Sequence, residues 1–130
     1  MRGFCVLMMA LLLVSGTAWA EDSYDPSEYE SCLEKAIADF DMIDCIQQEL
    51  EKQDARLNTA YKKLMSASSE HQKITLREAQ RAWVKFRDTW GEYLYDPEGG
   101  TIVRLEAAFW HLEATTKQAI RLEQSLSGYN

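Results

Sequence analysis

The 130-residue sequence is short of several things: two prolines, two histidines, six glycines and three cysteines. Scarce proline and glycine leave few interruptions for long helices. His71 and His111 lie 40 residues apart and form no His-x-x-x-His pair, so the spacing of a metal-ligand set is missing. Nor is there a glycine-rich fingerprint to cradle a nucleotide, and no metal or cofactor is expected. Positive charge is the minority sign: 14 Lys+Arg face 21 Asp+Glu, a net of −7. A nucleic-acid binder needs a basic footprint, so that class is excluded. Paired carboxylates are plentiful but unfocused, whereas glycosidase chemistry holds two across a cleft. No enzyme constellation emerges. What the chain does have is 46% hydrophobic and 11% aromatic residues, enough for one small core and too much for a disordered tail.

The first twenty residues carry an address. Arg2 precedes the apolar run Phe4–Val14, and Ala18-Trp19-Ala20 gives a small-x-small cleavage site before Glu21. That is the pattern of a secretory signal peptide, with an apolar run too short to span a bilayer. The expected organisation is a signal peptide over 1–20 and one domain over 21–130. The location is then periplasmic or secreted from a bacterial cell, with no membrane anchor after cleavage. Cleavage removes Arg2 and Cys5, leaving 13 bases against 21 acids, a net of −8. Cys32 and Cys45 remain, and two cysteines in an exported domain pair with each other in most cases. A Cys-x-x-Cys redox motif is absent, so the pair is expected to be structural.

The domain reads as all-α, a helical hairpin or small bundle of three to four helices. Asp25-Pro26-Ser27-Glu28 predicts the start of a short helix running to about Ala38. Asp41 is expected to cap a second helix, where Ile43, Leu50, Leu57 and Leu64 recur every seven residues. Ile46 and Ala60 fill part of the alternate position, and Gln53 interrupts it. After a break at Ser66–Ser69, a third helix starts either at Ser69, with Gln72 completing a capping box, or at Thr75 with Glu78. Its expected seam is Leu76, Ala79, Trp83, Phe86, Trp90 and Tyr93. Asp96-Pro97-Glu98-Gly99-Gly100 is the strongest loop signal. A fourth helix follows with Ile102, Leu105, Phe109, Leu112, Thr116 and Ala119 on one face, ending before Gly128.

Two features invite a functional reading. Residues 21–54 hold 12 acids and two bases, while 55–130 hold nine acids and 11 bases. Such segregation steers a cationic partner to the first third, with Asp39, Asp41 and Asp44 as a candidate patch. The alternative is an ordinary solvated face. The second feature is Gln80-Arg81-Ala82-Trp83-Val84-Lys85-Phe86-Arg87-Asp88, which puts Gln80, Trp83 and Arg87 on one helical face. Asn58 and Tyr61 flank Leu57 and are expected to look towards it across the hairpin. These residues form either a recognition surface or a buried network that fixes helix register.

At this run the sequence resembles the lysozyme inhibitor LprI family of small exported bacterial proteins, over about residues 30–126. The resemblance rests on Cys32 and Cys45, on Asp54-x-x-Leu57-Asn58-x-x-Tyr61-Lys62-x-Leu64-Met65, on Ala79-Gln80-Arg81-Ala82-Trp83-x-x-Phe86-Arg87-Asp88, and on Gly99-Gly100-Thr101-Ile102. It implies an all-helical fold and inhibition of lysozyme by direct binding, without catalysis. Lysozyme is small and strongly cationic, which suits an acidic partner. A structural or adaptor role on another envelope protein is the competing expectation. Members of the family often carry a second cysteine pair where this chain has Trp90 and Trp110. Two packed indoles would there replace a covalent link by buried apolar area.

Overall fold

A computed structural model describes residues 25–128, and the segment expected to be a signal peptide lies outside them. Four helices follow in order: α1 (Ser27–Lys35), α2 (Asp39–Ala67), α3 (Glu70–Leu94) and α4 (Gly100–Ser127). Among the described residues there is no strand, and no helix is long and apolar enough to cross a membrane.

Local chemistry sets the boundaries. Asp25 accepts the Ser27 N–H at 3.0 Å, and Pro26 occupies the position just before the first helical residue. α1 stops at Lys35, three residues short of the expected Ala38. Asp41 acts differently from the expected N-cap. It lies inside the first turn of α2, and its carboxylate reaches back to accept the Ile37 and Ala38 N–H groups at 3.1 and 3.0 Å. Those bonds to the charged form, from Ala38 and then Ile37, hold its pKa below the ordinary aspartate value. Ser69 and Gln72 close a full capping box on α3, with Ser69 Oγ accepting from the Gln72 N–H and Gln72 Oε1 from the Ser69 N–H. Thr75, the other expected start, lies inside the helix and donates to the carbonyls of His71 and Gln72. In the Asp96–Gly100 turn, Asp96 accepts the Glu98 N–H, and Gly100 takes a φ of +73°, a conformation that favours glycine.

The long helices run up, down and up. Thr101 at the start of α4 donates to Asp39 at the start of α2, 2.8 Å apart. Arg56 Nε, late in α2, donates to Glu123, late in α4, at 2.6 Å. α2 and α4 are therefore parallel neighbours, and theirs is the main interface of the molecule. α3 returns antiparallel against α4 and scarcely meets the backbone of α2. The small-bundle form of the expected fold is the one adopted, with α4 in the place that a simple hairpin would give to α3.

Two apolar clusters fill the bundle. Ile46, Leu105 and Leu112 form one, covered by Tyr29, Met42, Ile43, Leu50 and Ala108. Leu57, Ala60, Leu64, Ala119 and Leu122 form the other, covered by Tyr61, Leu76, Trp83 and Leu126. Between them the layer is polar: Glu49, Gln53, Thr115 and Gln118 are all buried. Gln53, which interrupts the heptad pattern, is thus inside the seam and donates to Glu49 at 2.7 Å.

Two of the expected seams are rotated. On α3 the inward stripe is Lys73, Leu76, Gln80, Trp83, Arg87, Gly91 and Leu94, while Ala79, Phe86, Trp90 and Tyr93 face out. On α4 Leu105, Leu112 and Ala119 are buried as expected, with Thr115 and Leu122 completing the stripe, but Ile102 and Phe109 are exposed.

Gly91 is the one residue of α3 that is buried, and the His111 ring of α4 lies against it. A Cβ on Gly91 would stand 2.3 Å from His111 Nε2. Gly91→Ala is expected to lower stability by roughly 1 kcal/mol, since overpacking outweighs the gain in helix propensity. With His111→Ala in the background the sign should reverse, and paired melting curves check this.

Candidate functional site

The polar layer gathers most of the sequence-selected residues. Arg87 reaches from α3 across the bundle, its Nη1 donating to Thr115 Oγ1 at 3.3 Å and its Nε to Asp88 at 2.9 Å. Asp54 of α2 lies 3.7 Å away, and the guanidinium stacks over Trp83 at 5.0 Å from the ring centroid. Gln80 accepts from Gln118, which in turn accepts from Arg121. His111 completes the group. Burial, followed by the nearby Arg87 charge, holds its pKa below the ordinary histidine value. Gln80, Trp83, Arg87 and Asp88 thus meet α4 as a half-buried network. Tyr61 is half-buried against the core cluster below it. Asn58, expected to look towards α3 across the hairpin, is exposed, outside the stripe of α2 that packs on α4. The arrangement joins helices more readily than it receives a ligand.

The outward aromatic residues of α3 form a second feature. Trp90 and Trp110 pack with ring centroids 6.0 Å apart, and Trp110 meets Phe86 edge-on at 5.7 Å. Trp110 Nε1 donates to the Arg87 carbonyl at 2.8 Å, tying α4 to α3. Beside them an open groove of about 530 Å³ is lined by Trp90, Leu94, Glu106, Phe109, Trp110 and Glu113.

The third feature comes from topology. The start of α2, the end of α3 and the start of α4 share one end of the bundle. Segments 30–44 and 92–106, which build that end, contain nine acids and two bases, a net of −7. Segments 60–81 and 117–128, at the other end, contain seven bases and three acids, a net of +4. Charge is therefore segregated along the long axis, and Glu92, Asp96, Glu98 and Glu106 join the expected patch of Asp39, Asp41 and Asp44. Asp44 and Asp41 are exposed, and Asp39 is half-buried. The sequence-based reading missed the four added acids, since they belong to the segment with a positive balance.

The disulfide links Cys32 of α1 to Cys45 of α2, with Cα atoms 5.8 Å apart. Glu28 of α1 also accepts an ion-pair bond from Lys52. Among the described residues no group of three or more His, Cys, Asp or Glu is arranged to hold a metal ion. The fold and its surface define a small, disulfide-clamped helical protein with a buried polar layer, an open aromatic groove and one acidic end. The chain belongs to the family described as lysozyme inhibitor LprI, whose model matches residues 32–122. No curated protein and no solved structure matches the chain.

Proposed function

We propose that this protein is exported after cleavage behind Ala20 and inhibits a cationic lysozyme by binding it, without catalysis. Family membership supports the class of target. The observation that carries the mode of action is the acidic end of the bundle, where segments 30–44 and 92–106 sum to −7. Such a field speeds encounter with a cationic partner and orients it.

Purified protein is expected to slow lysozyme-driven lysis of bacterial walls. Asp39 and Asp41 each hold a hydrogen bond within the fold, so charge reversal is better made at Glu34, Asp44 and Glu98, which are exposed. The triple change to Lys should reduce the association rate about tenfold or more at low salt and leave melting unchanged. The difference should shrink as salt cuts the screening length to about 8 Å and below. A triple variant that associates as fast as the parent at low salt would remove the electrostatic basis of the proposal. A parent protein with no effect on lysis would favour an adaptor role instead, with the open Trp90–Trp110 groove as its docking face.

A further inference from the structure

The corner between α1 and α2 carries the two most exposed aliphatic and phenyl side chains of the acidic end. Ile37 is 94% exposed and Phe40 is 68% exposed. Among the described residues, neither belongs to an apolar cluster. Yet the corner that holds them is firmly tied. The Cys32–Cys45 bond closes it from both sides, Asp41 binds the backbone N–H groups of Ile37 and Ala38, and Asp39 accepts from Thr101. That last bond brings the first turn of α4 to the same place, with Ile102 62% exposed.

We infer that Ile37 and Phe40 are the apolar anchors by which the acidic end docks into a concave site on a cationic protein. This rests on the inhibitor reading above and names its contact residues. Binding hot spots combine a desolvated apolar centre with a polar rim that excludes water. Here the centre is the Ile37–Phe40 pair, and the rim is Asp39, Asp41, Asp44 and the acids of segment 92–106. Because the corner is already fixed, docking forfeits little conformational freedom, and more of the contact energy appears as affinity. The charge selects the occupant. A second copy would set one −7 end against another, and an anionic membrane would be repelled in the same way. A cationic surface alone is complementary.

The test is a titration of the purified, disulfide-bonded protein against a cationic c-type lysozyme, with Kd and inhibition read in parallel. Ile37→Ser together with Phe40→Ser should raise Kd about tenfold or more, the loss expected of a hot spot. Melting should be unchanged, because both side chains already face water. Ile74→Ser on α3, at the opposite end and 54% exposed, should leave Kd unaltered. If the parent binds and the double variant binds equally well, the corner is overturned while the inhibitor reading stands. If the parent does not bind, both are overturned. A parent that sediments as a dimer, and a double variant that sediments as a monomer, would assign the corner to self-association and overturn the inference.

Discussion

Replacing Cys32 and Cys45 together by serine is expected to cost the fold about 3 kcal/mol, the chain-entropy value for a loop of this size. The two cysteines are 13 residues apart. For a domain of this length, that loss lowers the melting temperature by roughly 10–15 °C. The effect should be uneven along the chain. α1 contains no buried residue and is held by the disulfide, by Tyr29 on the Ile46 cluster and by the exposed Lys52–Glu28 pair. An exposed ion pair contributes little. Amides of α1 are therefore expected to lose hydrogen-exchange protection first, while the α2–α4 interface keeps its own. On the proposed function, inhibition should weaken with them, since the corner proposed for docking loses its clamp. A double-serine variant with parental melting and a protected α1 would show that Tyr29 alone anchors the helix.

The elements that sequence made legible are those decided locally. Ser69 and Gln72 sit three residues apart and can close a capping box whatever surrounds them. Asp96–Gly100 contains the residues a tight turn requires, including a glycine where φ is positive. Cys32 and Cys45 are the two cysteines outside the expected signal peptide, which leaves one pairing, and they form it. What was not legible depends on the choice of neighbour. Periodicity finds a helical face but not the helix it meets, and Asn58, expected to face α3, is exposed to water. Phe86, Trp90 and Tyr93 are apolar at helical spacing, which by itself predicts a core position. The neighbouring stripe wins instead, because α4 offers Thr115 and Gln118 to satisfy Arg87 and Gln80. The polar stripe is thus buried because its hydrogen bonds can be made, and the aromatic one stays half-wet.

The same dependence hides the acidic end from a linear reading. Glu92, Asp96, Glu98 and Glu106 lie in a stretch whose charges nearly balance, and only the up-down-up path returns them to the side of Asp39 and Asp44. Any connection that left α4 beside α3 but reversed would have scattered them. The electrostatic reading is therefore a property of topology, whereas the net charge is a property of composition.

Arg87→Ala should lower stability by about 1–3 kcal/mol, the cost of leaving buried hydrogen-bond partners unmatched. Its side chain is 18% exposed and spans all three long helices. Removing it leaves Thr115, which is fully buried, without that donor. It leaves Asp54 and Asp88 facing each other without the intervening cation, and it uncovers the Trp83 ring. Lost packing of the guanidinium stem adds to these terms. Arg87→Lys should recover only part of the loss, because a single ammonium group cannot serve Thr115 and Asp88 in the planar geometry of the guanidinium. The acidic end lies elsewhere along the bundle, so the lysozyme affinity proposed above is expected to stay parental at temperatures where the variant is folded. Melting and titration on the same sample separate the two roles. A variant that melts like the parent but no longer binds would transfer Arg87 from the fold to the recognition surface, and the docking face would then have to include the flank of α3.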